Sequence, residues 1–96
     1  MAEEGGNNDD VFVYMGGDQE VPRNVRYVRV HKSVKIITRY AFMHCRNLVS
    51  IEMHDGVEII EGWAFHDCRS LREIKLPGVR VIGGWAFKFC KALESV

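Results

Sequence analysis

Three cysteines, four histidines and a column of arginines are the side chains of this 96-residue chain with chemistry to offer. His44 beside Cys45, and His66 and Asp67 beside Cys68, are metal-ligand types set next to one another. Zinc sites bring such ligands together as C-x-x-C or H-x-x-x-H, and neither spacing occurs here. Cys45, Cys68 and Cys90 instead recur 23 and then 22 residues apart. That regularity marks a structural position, where a free thiol behaves as a small apolar residue. No metal and no cofactor is therefore expected. An odd number of cysteines stacked in one column is a poor disulfide framework, which fits a reducing compartment. The chain has no phosphate loop, no nucleophile elbow, and no Ser, His and Asp set that its pattern would bring together. Neither an enzyme nor a small-molecule substrate is expected. His31 and His54 fall at equivalent turns, where two protonated imidazoles would repel.

The elements that must position these residues are repeats. The stretch VEIIEGWAFHDCRSLREIKLPG, residues 57–78, is written before it at 34–56 with one extra residue, and after it at 79–96 in shortened form. Val34, Val57 and Val79 open the units, and Ile37, Ile60 and Ile82 follow three residues later. Then come Ala41 and Phe42, Ala64 and Phe65, Ala86 and Phe87, followed by the cysteines and by Leu48, Leu71 and Leu93. Self-similarity at 20–30 residues is the signature of stacked units, none of which can bury its apolar side alone. The alternation at Ile51-x-Met53 and Ile74-x-Leu76 reads as a strand with one buried face. Val25-x-x-Val28-x-Val30 repeats it, so residues 23–33 are the strand half of a worn first repeat. Segments 40–44, 63–67 and 85–89 are expected to be helical turns, with Gly62, Gly83 and Gly84 at the tight corner before them. Trp63, Trp85 and Tyr40 share one position and read as packing residues.

The pattern A-F-x-x-C-x-x-L-x-x-I-x-L-P, carried by Ala64, Phe65, Cys68, Leu71, Ile74, Leu76 and Pro77, resembles the BspA-like leucine-rich repeats. The resemblance runs from about Val25 to Val96, with three copies of A-F-x-x-C in register. It implies an adhesion or protein-interaction module with no enzymatic activity in the repeat itself. Pro77 stands alone: the equivalent turns are His31, Lys32 and Ser33, and His54, Asp55 and Gly56. The fold expected is a right-handed α/β solenoid. It is a short leucine-rich-repeat array with a parallel sheet on the concave face and short helical turns on the convex side.

The domain organisation follows. Residues 1–10 are expected to be a disordered acidic leader and residues 11–22 a capping segment. The repeats fill 23–96: a half repeat at 23–33, complete ones at 34–56 and 57–78, and a truncated one at 79–96. Ending one residue into a strand, the pattern reads as a fragment of a longer array or as an end buried against another copy. There is no run of 18 apolar residues, hence no membrane span. Without a secretory signal the chain reads as intracellular, unless a signal lies outside this sequence. Net charge is zero, yet residues 1–20 carry six acidic and no basic side chains, while residues 21–96 carry all 13 basic ones against seven acidic.

Stacking in register turns each outward position into a column. On the concave face Arg29, Glu52 and Lys75 alternate in sign and attract by about 0.2–1 kcal/mol per pair. Beside them run Tyr27, Ser50, Glu73 and Ser95, with Tyr27 the large aromatic that binding hot spots favour. These are the candidate contacts for a protein partner, although a self-neutralised surface ladder reads equally from the same residues. A second column, Arg23, Arg46, Arg69 and Lys91, stacks like charges that repel. It reads either as an anion-binding stripe, which the acidic leader could itself occupy, or as solvated cations whose stems cover apolar surface. Nucleic acid is not expected: no recognised motif is present, and the aromatics sit at core positions.

Overall fold

The structure, a computed structural model, describes residues 10–94. Residues 1–9 of the leader, and Ser95 and Val96, lie outside the described residues. Val28 and Val30 point into the core while Arg29 between them is exposed, and Ile51 is buried between exposed Ser50 and Glu52. Side chains that alternate faces in this way select extended strands. Six form: β1 (Val11–Tyr14), β2 (Tyr27–Val30), β3 (Ile36–Ile37), β4 (Ser50–Glu52), β5 (Ile59–Ile60) and β6 (Val81–Ile82). They build two sheets rather than the one expected, in the orders β1-β2-β4 and β3-β5-β6, and every neighbouring pair is parallel. The second sheet exists because the V-x-x-I pieces also pair with their own copies, Ile36 to Ile59 to Val81.

The helical turns do not form, and there is no helix among the described residues. Within 38–45, the N–H groups of Ala41, Met43 and Cys45 donate to carbonyls three residues back. Those of Phe42 and His44 leave the unit and reach Ala64 O at 2.7 Å and His66 O at 2.8 Å in the next repeat. The next unit repeats the arrangement, with Trp63, Phe65 and Asp67 donating to Gly84, Ala86 and Lys88. A helix would turn each N–H beyond its first turn back onto its own backbone. Here every second one is spent on stacking, and the backbone that allows it is left-handed at two points per unit. Tyr40, His44, Trp63, Asp67, Trp85 and Phe89 all have φ between 63° and 67°. An L residue in that conformation costs roughly 1–2 kcal/mol. The corner therefore turns on these residues, not on the glycines. Gly83 is required for a different reason: a Cβ there would run into the backbone of Glu61 and Gly62 in the preceding repeat.

The core is a set of columns. Phe42, Phe65 and Phe87 stack with ring centroids 5.2 Å apart at each step, and Tyr14 packs on Phe42 at 5.0 Å with its ring tilted by 55°. Cys68 and Cys90 donate their thiol protons to Phe42 O and Phe65 O, at 3.1 and 3.0 Å. A small apolar residue with a weak donor is what that inward carbonyl can use. Burial pushes the Cys45 thiol pKa up, against a smaller opposing pull from Arg23. At the turns between the sheets, His54 Nδ1 accepts the Gly56 N–H (3.0 Å) and His31 Nδ1 accepts the Ser33 N–H (3.1 Å). His54 Nε2 donates to His31 O at 3.0 Å. Each imidazole thus builds its own turn, much as an Asn or Asp side chain does.

Candidate binding face

The outward side chains of the β1-β2-β4 sheet contribute nothing to the core, which leaves them available. Register sets Tyr27 beside Ser50 and Arg29 beside Glu52, as the repeat alignment places them. Arg29 Nε donates to Glu52 Oε1 at 2.9 Å between two well exposed side chains, a pair worth under about 1 kcal/mol. The column gains a member that the repeat does not reveal, since Val13 of β1 lies in register with Arg29. Lys75 and Glu73 are exposed beyond β4, and Lys75 forms no ion pair among the described residues.

Two grooves share this face. One, of about 610 Å³, is lined by Ser50, Glu52, Met53, Glu73 and Lys75 among others. The second, of about 450 Å³, is lined by Val13, Arg29, His31, Glu52, Met53 and His54 among others. Tyr27 lines neither; it is half-buried with the Arg26 guanidinium 5.5 Å from its ring centre. Partly buried Met53 lines both grooves, beside charged side chains.

The basic column is not the bare row of like charges that its sequence suggests. Asp67, buried, lies between its two central members. Asp67 Oδ1 accepts from Arg69 Nε at 2.6 Å, and Oδ2 accepts from Arg46 Nε at 2.9 Å. His44 Nδ1 is 2.9 Å from the same Oδ2. Burial on its own would raise the Asp67 pKa. The hydrogen bonds from Arg69, His44 and Arg46 outweigh it and hold the carboxyl well below the usual carboxylate range. Arg23 leans on the Cys45 sulfur at 3.8 Å, and Lys91 is exposed. In the sequence Asp67 reads only as a metal-ligand type beside Cys68, and not as a counter-charge, because its equivalents are His44 and Phe89 and it belongs to no charged column.

Tyr40, Trp63 and Trp85 also form a column, but a surface one. Trp63 and Trp85 are parallel at 5.4 Å, and Tyr40 follows at 6.4 Å. Trp85 is half exposed, and Lys88 Nζ lies 4.1 Å from its ring centre. Among the described residues, no three His, Cys, Asp or Glu side chains are grouped to hold a metal ion, and no helix is long and apolar enough to cross a membrane.

Compared with known families, residues 22–96 match the model described as a BspA type leucine-rich repeat region, in six copies. No curated protein and no solved structure matches the chain.

Proposed function

The chain belongs to the BspA type leucine-rich repeat family, and from that premise we propose that it is a protein-interaction module whose partner lies across the β1-β2-β4 sheet. In this reading the stacked units are a short solenoid, that sheet is its concave side, and residues 11–22 cap one end. The module is not an enzyme. The observation that carries the reading is the pair of grooves meeting at Glu52 and Met53, whose lining includes the exposed side chains Val13, Arg29, Ser50, Glu73 and Lys75. Val13, Met53 and the stems of Arg29 and Lys75 supply apolar contact, and their charged ends supply specificity.

The test is affinity capture with the wild-type chain and with an Arg29→Glu, Lys75→Glu variant. A partner held by the first and released by the second supports the face. A partner held equally by both moves the site elsewhere. The Arg29–Glu52 ion pair favours a second reading, a structural spacer with a self-neutralised face, and capture of nothing by either chain would support that one. Within the basic column we place any anion contact on the outer Nη groups of Arg46 and Arg69, because Asp67 already holds their Nε atoms.

A further inference from the structure

All the exposed large apolar side chains among the described residues lie at the two ends of the stack. Val13, Met15, Ile36 and Tyr40 are at the N-terminal end, and Val81, Ile82, Trp85 and Phe89 are in the last unit. Two members of each group belong to the same columns. Ile36 and Val81 are the outer members of the β3-β5-β6 ladder, and Tyr40 and Trp85 are the outer rings of the aromatic column. What would follow Trp85 in a continued stack is a ring such as Tyr40, and what would follow Val81 is a strand such as β3.

Charge and hydrogen bonding are complementary too. Residues 79–94 carry Arg80, Lys88 and Lys91 against Glu94, while residues 10–22 carry Asp10, Asp18 and Glu20 and no basic residue. At the C-terminal end the N–H groups of Trp85, Phe87 and Phe89 have no backbone acceptor among the described residues, although Trp63, Phe65 and Asp67, their equivalents one unit earlier, all donate to the following repeat. At the N-terminal end a groove of about 780 Å³ is lined by Asp18, Glu20 and Glu61 against Arg23 and Arg39, and by Tyr40, whose ring centre lies 6.0 Å from the Arg39 guanidinium. Carboxylates there are acceptors for free N–H groups and counter-charges for Lys88.

We propose that this chain self-associates head to tail, the C-terminal end of one copy seated on the N-terminal end of the next. Lys88 enters the acidic groove and Trp85 stacks over Tyr40 of the second copy. A two-fold pairing of C-terminal ends would instead set Arg80, Lys88 and Lys91 against themselves. A head-to-tail contact uses different surfaces on the two copies, so it does not close after two and the assembly grows with concentration. The proposal does not depend on the sheet face chosen above.

The experiment is light scattering on the full chain over a concentration series, with Tyr40→Asn and Trp85→Asn as variants. Asn tolerates the left-handed backbone at both positions. The wild type is expected to rise in mass through dimer and beyond, and to fall back in high salt. Each variant alone is expected to stay a monomer. Mixed, they are expected to form a species of twice the monomer mass and no larger, since each supplies the end that the other lacks. That recovery also shows both variants folded. A wild type that stays monomeric throughout overturns the proposal, and so does a dimer that Tyr40→Asn leaves intact.

Discussion

The two ends of the stack bury equivalent positions very differently. At the N-terminal end Ile37 and Phe42 are fully buried, because Tyr14 stacks on Phe42 and its hydroxyl meets Thr38 Oγ1 at 3.0 Å and accepts the Thr38 N–H at 3.3 Å. At the C-terminal end Ile82, the counterpart of Ile37, is 49% exposed. One end is closed by a segment that imitates a repeat with a single ring and a single strand. The other presents an unmodified repeat. Repetition makes every unit equally able to be covered; what differs is whether a neighbour covers it.

The contrast can be broken most sharply at Tyr14. Tyr14→Ala removes a fully buried ring and both of its hydrogen bonds, and is expected to lower unfolding free energy by about 3–5 kcal/mol in urea titration. Trp85→Ala at the open end should stay below about 1 kcal/mol in dilute solution. A similar cost at both would mean that the N-terminal segment is not what closes the core.

Asp67→Asn, midway between the ends, is expected to cost about 2 kcal/mol at neutral pH, since it weakens the charge-assisted hydrogen bonds from two half-exposed arginines to a buried carboxylate. The sign with pH follows from the depressed pKa. The stabilisation is fully present above the unfolded value of about 3.9 and drains away as pH falls towards the lower folded value. The difference between wild type and variant in urea midpoints should therefore shrink in acid. A difference that held constant down to pH 2 would detach Asp67 from its arginines.

The comparison can also be sharpened within one column. Ile37→Ala should cost about 3 kcal/mol and Ile82→Ala about 1 kcal/mol, in proportion to what each buries. Last, and with no change in stability, thiol alkylation of the native chain should modify Cys90 well before Cys45 and Cys68, which are fully buried. Equal labelling of all three, followed by peptide mass analysis, would mean that the core opens as readily as the end.

The columns were legible in the sequence because stacking in register makes a repeat offset a spatial neighbour. Arg29 beside Glu52, and Trp63 on Trp85, follow from counting alone. What counting missed are features present only once, or set by backbone. Asp67 has no charged equivalents, so the column reading left Arg46 and Arg69 unneutralised. Tyr14 belongs to no repeat, yet takes the place of a core phenylalanine. Local propensity assigns helix to W-A-F-x-x-C and left-handed corners to glycine. The fold gives those corners to tyrosine and tryptophan, because stacking bonds to the next unit outweigh the local strain.

The turn ladder also runs one way in time. Phe42, His44, Trp63, Phe65 and Asp67 all donate to carbonyls that lie later in the chain. At synthesis rates of ~5–20 residues per second, an acceptor roughly 22 residues on emerges about 1–4 s after its donor. Each newly made unit therefore leaves the ribosome with its strand able to pair backward while its turn waits for the unit behind it. The growing end of the nascent chain is always an open one, and closure passes along the molecule from the N-terminus at the pace of translation.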